Sequence, residues 1–474
     1  MQFSNRGRFL QQVRFLRRQF LQDGELPFTD VLSEKIVSQA LTAAGVVWNE
    51  SIYQPLVTLW VFLSQVLSAD HSCRAAVSRL IAHRCSHGQS ECSAETGAYC
   101  QARKRLPEKF FSEVACQTGR ALDGQVDAQW LWKKRRVYMF DGTTVSMPDT
   151  PANQRDYPQV GTQKPGLGFP IARLGSIISL SCGAVIGLGF RRYAGKGQGE
   201  VSLLRELWGV LCPGDVLLTD CLLSTWTEMV LLRQRGVDTV SRLNKANRSA
   251  DFRRGKSLGK GDHIVRWPKP GRKPLNIDRE TFKALPEFLE VRELKIQVKQ
   301  RGFRTKNIVV VTTLLDPEEY TKSDLAQIYR ARWNHELDLA SIKTTMQMGI
   351  LRCKTPELVR KEIWTHILAY NLIRTVMAQA ADKHDIEPRT ISFKGAIQTL
   401  EAFQPHIDCQ GHRGGSFREE LYQQLLDCVA THRVANRPDR YEPRLRKRRP
   451  KHYAFLRKPR NVIKSEMAKG LTET

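Results

Sequence analysis

Two short apolar runs that close on an aspartate limit what this chain can fold into. VYMF at 137–140 leads into Asp141 and Gly142, and VLLT at 216–219 leads into Asp220. Each reads as a short strand delivering a carboxylate at its end. Between them, GFPIARLGSIISLSC (168–182) and AVIGLGFRRY (184–193) are β-rich and joined by Gly183. KGQGEVSLLRELWGVL (196–211) reads as a helix opening after glycines, and VDTVSRL (237–243) as a further strand. Three strands, a helix, a strand, a helix and a strand make an α/β arrangement.

A third carboxylate comes much later, in DPEEYTKSDLAQIYRARWNHELDLASIKTTM (316–346). Pro317 and Ser323/Asp324 give a start signal, and no Gly or Pro follows, so 323–346 reads as one helix. At ~100° per residue, Tyr329, Arg332, Glu336 and Lys343 share a strip about 60° wide. Ile328, Ala331, Leu339, Ile342 and Met346 fall beside the strip and face a core. Taken alone, such a strip fits an exposed amphipathic helix with Arg332–Glu336 as an i,i+4 ion pair.

The spacing Tyr329, Arg332, Glu336, Lys343 resembles the Y-x2-R-x3-E-x6-K signature of bacterial insertion-sequence transposases of the IS-four type, members of the DDE superfamily. The resemblance covers roughly 130–460. It implies a ribonuclease-H-like catalytic core whose first and fourth strands end in metal-binding aspartates. Asp141, Asp220 and Glu336 then form the catalytic and metal-binding triad, 79 and 116 residues apart (220 − 141 and 336 − 220). Such a triad can hold two Mg²⁺ for in-line displacement at a phosphodiester, with Mn²⁺ an acceptable substitute. Tyr329, Arg332 and Lys343 match the positions that grip DNA-end phosphates, and Arg242 joins them as a further DNA contact. The family stacks a tryptophan on a flipped base. Trp267 is the candidate here, and Trp333 reads as structural. Some members carry another lysine four residues after the glutamate, where this chain has Ala340. Asp149, eight residues after Asp141, reads as a turn residue.

Around that core, 1–130 reads as a helical N-terminal DNA-binding region, and 131–243 as the first part of the core. Residues 244–306 read as the β-rich insertion the resemblance implies, with two strands in 288–315 around an Arg301–Gly302 turn. The second of those strands either closes the insertion or returns to the core sheet. Residues 307–381 complete the core with the glutamate helix and a long apolar helix at 358–381. A helical and basic region follows at 382–474. In the N-terminal region, 72–84 and 93–107 are helical patterns around a Gly88 break. They fit a helix-turn-helix with Arg103, Lys104 and Arg105 aimed at phosphates, or a plain helical hairpin. His83, Cys85, His87 and Cys92 lie too close together for an ordinary structural zinc site.

Charge supports a polyanionic partner. Lys and Arg exceed Asp and Glu by 74 to 48, a net +26. Arg6, Arg8, Arg14, Arg17 and Arg18 alternate with phenylalanines near the N-terminus. Residues 242–273 hold 11 Lys/Arg, and 433–460 hold 12. Eleven irregularly spaced cysteines fit a reducing cytoplasm, with nucleoid association implied by a DNA partner. The N-terminus lacks a signal-peptide pattern. The uncharged stretch 51–69 is interrupted by polar residues and reads as a buried helix, not a membrane span. GFRRYAGKG (189–197) is not a Walker A loop.

The expected activity is metal-dependent cut-and-paste transposition of an insertion sequence: end cleavage through a hairpin, then strand transfer. The partners are double-stranded DNA at the terminal repeats and target, and a second copy of the chain when assembled on paired ends. The alternatives are a ribonuclease-H-like DNA nuclease without strand transfer, and a catalytically dead repressor of the element.

Overall fold

The computed structural model describes residues 32, 34–68, 70–246, 248–274, 277–297, 307–409, 415–434 and 458–470. The arginine- and phenylalanine-bearing segment before residue 32, the Arg301–Gly302 turn and the basic stretch 435–457 lie outside them. The chain forms two compact units. One takes the described residues within 132–180, 188–336 and 435–474; the other takes those within 1–131, 181–187 and 337–434.

The first unit is mixed α/β, built on a sheet. Its strands are β1 (Val137–Ser146), β2 (Ile171–Ser179), β3 (Val185–Arg192, whose residues 185–187 fall to the other unit), β4 (Val216–Thr219), β5 (Asp238–Arg242), β6 (Lys256–Gly259), β7 (Asp262–Pro268), β8 (Phe288–Gln297) and β9 (Asn307–Thr312). Their order across the sheet is β3-β2-β1-β4-β5-β9-β8-β7-β6. β1 pairs antiparallel with β2 and parallel with β4, and β4 pairs parallel with β5. Parallel neighbours need crossovers. Helix α1 (Glu200–Leu207) lies in the connection to β4, and helix α2 (Trp226–Gln234) in that from β4 to β5. Val216, Leu217 and Leu218 are fully buried, and each such side chain contributes roughly 1.5–3 kcal/mol.

β9 is the strand that could have gone either way. It returns to the sheet, pairing with β5 on one side and β8 on the other. β8, β7 and β6 then extend the same sheet antiparallel outward. Trp226 and Met229 of α2 pack there with Trp267, Val291 and Val311.

Two expectations from the sequence change here. β1 does not end at Asp141. It runs on to Ser146 because β2 continues beside it, Ser146 pairing with Ile171, so the backbone polar groups past the apolar run remain bonded. The expected helix 323–346 is helix α3 (Lys322–Ala331), a junction at Arg332, helix α4 (Trp333–Ala340) and a π-helical turn at Ser341–Thr345. Thr321 and Asp324 close a capping box at its start. Of the residues expected to face a core, Ile328, Ile342 and Met346 are buried, while Ala331 and Leu339 are partly covered.

The other unit is helical. Pro356–Lys383 is its central helix, with Pro55–Leu67, Glu108–Gly124 and Gly415–Thr431 packed on it. Asn371 is bonded on both sides of its amide, to Ala115 O at 3.0 Å, Val185 O at 2.9 Å and Val185 N at 2.9 Å. Gly119 is required beside it, since a Cβ there would meet Val185 O at 2.2 Å. Helices Cys73–Ser86 and Gly97–Arg105 form as expected, but Arg103 is not a phosphate ligand on their surface. It is 5% exposed, lies over the rings of Tyr99 and Phe62, and donates to Gln65 Oε1 at 3.2 Å and Cys73 Sγ at 3.3 Å. Lys104 and Arg105 are exposed. His83 is buried between Trp60 and His87. No helix among the described residues is long and apolar enough to cross a membrane.

Candidate active site

Register brings the two aspartates together. Met139 of β1 stands opposite Leu218 of the parallel strand β4, so two residues further on Asp141 is level with Asp220. Asp141 Oδ1 accepts from Gly142 N at 2.7 Å, and Asp220 Oδ1 accepts from Leu222 N at 2.8 Å. Burial pushes the Asp220 carboxyl above the usual range; the charge of Asp141 adds to that and Arg332 opposes it.

Glu336 reaches the pair through Arg332. The guanidinium donates to Asp141 Oδ2 at 3.2 Å and to Glu336 Oε1 at 3.1 Å, bridging strand and helix. Burial works against its charge, but Tyr329, Asp141 and Glu336 outweigh that and raise the Arg332 pKa. Tyr329 is half-buried; burial raises its pKa against the pull of Arg332 and Arg242, which places both cations beside the phenol. Asp141, Asp220, Glu336, Tyr329, Arg332 and Arg242 therefore share one region of this unit. Lys343 lies on the π-helical turn of the other unit, where burial lowers its pKa. Asp149 stands apart, accepting from Gln154 Nε2 at 2.9 Å and pairing with Arg460 at 3.1 Å.

Three further residues belong to the site. His335, fully buried on α4, has Nε2 3.1 Å from Ser176 Oγ and 3.2 Å from Ser176 O. Ser176 is the β2 residue paired with Asp141, so the helix of Glu336 is tied to the strand neighbour of Asp141. Glu200, first residue of α1, packs on Gly142. A Cβ at position 142 would lie 2.4 Å from its Oε1 and 2.6 Å from its Cγ. Arg173 of β2 donates to Glu200 Oε1 at 3.1 Å. Burial raises the Glu200 pKa; Arg173 opposes that, and Asp141 and Asp220 reinforce it. No spacing signature marks Glu200. Its only sign in the sequence is an acid in the first turn of a helix, which is common.

Trp267 does not present a free face. It is 2% exposed, Nε1 donates to Glu293 Oε1 at 2.8 Å, and the Arg248 guanidinium lies 4.5 Å above the ring. Trp333 is 50% exposed on α4.

The donor chemistry fits a hard divalent cation. Asp141, Asp220, Glu336 and Glu200 offer carboxylate oxygens, and burial together with mutual repulsion at Asp220 and Glu200 gives a cation something to neutralise. The fit needs one rearrangement. Among the described residues no three His, Cys, Asp or Glu side chains are grouped closely enough to hold a metal ion as they stand, and Arg332 occupies the position between Asp141 and Glu336.

Comparison with known proteins identifies the family. A family model described as a transposase DDE domain matches residues 132–372, just over half of the chain. The chain is 26% identical over 443 residues to the transposase InsG for insertion sequence element IS4 of Escherichia coli K12, covering 90% of this chain and 92% of that one. It is 34% identical over 74 residues to the putative transposase InsL for insertion sequence element IS186A of the same organism, 16% of this chain and 20% of that one. Among solved structures, a piggyBac transposase synaptic complex with hairpin DNA matches 85% of this chain and 84% of that one, at TM-score 0.44 and 9% identity, too distant to bear on the site. The chain belongs to the DDE transposases, as a member of the IS-four type.

Proposed function

We propose that this transposase performs metal-dependent cut-and-paste transposition, with Asp141, Asp220 and Glu336 as its catalytic carboxylates and Mg²⁺ as its ordinary cation. The observation that carries the reading is the convergence of strand and helix. Asp141 and Asp220 are level on neighbouring parallel strands, and one guanidinium joins Asp141 to Glu336. The order β3-β2-β1-β4-β5, with β2 antiparallel to β1 and β4 and β5 parallel, supports reading this part of the sheet as a ribonuclease-H-like core.

The chain's own groups divide the work. Asp141, Asp220 and Glu336 would hold Mg²⁺, which when bound makes water or a 3′-hydroxyl a better nucleophile and stabilises the leaving oxygen. Arg332, Tyr329 and Arg242 hold the phosphates on either side of the scissile bond. Arg332 exchanges a carboxylate partner for a phosphate, for which its planar fork is equally suited. The first step hydrolyses one strand at the element's end. The freed 3′-hydroxyl then attacks the opposite strand, closing a hairpin as one P–O bond forms and another breaks. Water then opens the hairpin, its oxygen bonding to phosphorus as the 3′-hydroxyl leaves, and that 3′-hydroxyl attacks target DNA by the same exchange that closed the hairpin. No nucleotide triphosphate is required, because each joining step conserves a phosphodiester.

The region before residue 131 and the basic stretch 435–457 supply salt-dependent backbone binding in this reading, and two copies act on paired ends. The test is a pair of assays on labelled duplexes carrying the element's terminus. Asp141→Ala, Asp220→Ala and Glu336→Ala each abolish Mg²⁺-dependent end cleavage, and wild type joins precut ends to a target. Cleavage by any of the three variants removes that residue from the triad. Cleavage without joining makes the protein a nuclease, and metal-independent DNA binding without cleavage makes it a repressor.

A further inference from the structure

We propose that Glu200, held by Arg173, is a fourth carboxylate of the acidic centre. It positions the Asp141–Gly142 segment and adds to the field that draws a divalent cation there. The inference rests on the metal-dependent reading above and concerns a residue outside the three-carboxylate signature.

Three observations on different elements carry it. The first is steric. Glu200 lies against Gly142 so closely that a side chain at 142 would overlap its Oε1, Cδ and Cγ at 2.4, 2.5 and 2.6 Å. The peptide it rests on is the one whose N–H holds Asp141 Oδ1, so Glu200 backs the hydrogen bond that orients Asp141. The second is the ion pair. Arg173 sits opposite Thr144 on the paired strand, donates to Glu200 at 3.1 Å and to Tyr193 O at 3.3 Å, and stacks over the Tyr193 ring at 5.0 Å. Arg173 so offsets part of the charge of Glu200, whose place is set by its seat on Gly142. The third is electrostatic: Glu200 is close enough to Asp141 and Asp220 to feel the charge of both. A like charge so near two others is unfavourable without a cation. A strut for the helix start would do as well with an uncharged side chain.

Charge and shape separate experimentally. Glutamine keeps the length of Glu200, its seat on Gly142 and an oxygen for Arg173, but removes the charge. Free Mn²⁺, read by its EPR signal, is titrated with the full-length protein without DNA, alongside Asp220→Asn as the reference for the centre. Glu200→Gln is expected to raise the Mn²⁺ dissociation constant about tenfold, the size of one nearby charge in a half-buried site. Arg173→Met removes a neutralising charge and is expected to tighten Mn²⁺ binding. Opposite directions are the signature, since general damage to the site weakens both variants. Unchanged affinity in Glu200→Gln, or weaker or unchanged affinity in Arg173→Met, overturns the proposal. Where circular dichroism shows Glu200→Gln unfolded, Arg173→Met decides alone. Should wild type bind no Mn²⁺ that Asp220→Asn abolishes, the metal-dependent reading itself fails and this proposal with it. Asp220-dependent binding that ignores Glu200 overturns this proposal only.

Discussion

The contact between His335 and Ser176 makes a sharp prediction, because it couples stability to chemistry through one side chain. His335 is fully buried, and its Nε2 lies 3.2 Å from the Ser176 carbonyl and 3.1 Å from its hydroxyl. In His335→Ala the Ser176 side loses a buried partner, worth about 1–3 kcal/mol. The emptied ring volume adds a cavity cost of about 1–2 kcal/mol, smaller than for a full leucine truncation. The sum, roughly 2–5 kcal/mol, is a large part of the 5–15 kcal/mol that typically holds a domain together. Where the variant still folds, Glu336 has lost its tie to the strand beside Asp141. A displacement near 1 Å costs on the order of 10²-fold in rate. Urea unfolding followed by tryptophan fluorescence measures the first effect. Single-turnover cleavage of a terminal duplex, at a temperature where circular dichroism shows the variant folded, measures the second. His335→Gln, which can still donate to Ser176, recovers part of both. The reasoning is refuted if His335→Ala unfolds within about 0.5 kcal/mol of the parent, the range of an ordinary surface substitution, or if it stays folded and cleaves at the parent rate.

Gly142→Ala places a methyl group into Glu200, so a loss of about 1–3 kcal/mol is expected from overpacking; a melting temperature equal to the parent's would show that Glu200 moves aside freely. In the helical unit, burial lowers the His366 pKa to about 4 from 6.5. The folded form resists a proton that the unfolded chain accepts, so this contribution is intact above pH 6.5 and is lost as pH falls toward 4. It amounts to about 3 kcal/mol. His366→Leu should flatten the acid limb of a melting-temperature profile, and an unchanged limb would place the acid sensitivity elsewhere.

What the sequence discloses here is what depends on neighbours along the chain. Val216–Thr219 was legible to the residue, because an apolar run bounded by Gly214 and Asp220 carries its own limits. The start of the helix that leads to Arg332 was legible to within a residue through Ser323 and Asp324, although its N-cap is Thr321. Features set by distant partners were not. β1 extends to Ser146 because Ile171–Ser176 lies beside it, and nothing in GTTVS announces that partner. The π-helical turn at 341–345 bonds Met346 N to Ser341 O, while the side-chain pattern there still follows an ordinary helix. Arg103 sits among cations that look like a surface, and only packing against Phe62 and Tyr99 makes it an interior residue. The site divides along the same line. Tyr329, Arg332 and Glu336 were visible as a spacing on one helix, whereas Glu200, Arg173 and His335 join through tertiary proximity alone.

That division leaves Arg332 with two roles that compete. The four carboxylates Asp141, Asp220, Glu200 and Glu336 share their region with three guanidiniums, Arg332, Arg173 and the Arg242 beside Tyr329, so the centre carries 3 − 4 = −1 when all are ionised. In a chain of net +26 this is a local inversion of sign, and it would repel the phosphates that the rest of the protein attracts. A divalent cation removes the repulsion, and a phosphate that takes Arg332 away from Asp141 and Glu336 frees both for the cation. DNA and metal should therefore bind with positive coupling, and linkage requires each to strengthen the other by the same factor. Mn²⁺ titrations with and without a cleavage-resistant terminal duplex should show tighter metal binding in its presence, on the order of tenfold for a coupling of about 1.4 kcal/mol. Arg332→Gln should bind Mn²⁺ without DNA at least as tightly as wild type while losing most of that coupling. Metal affinity indifferent to DNA in wild type, or weakened by removing Arg332, would mean that the guanidinium does not stand in the cation's place.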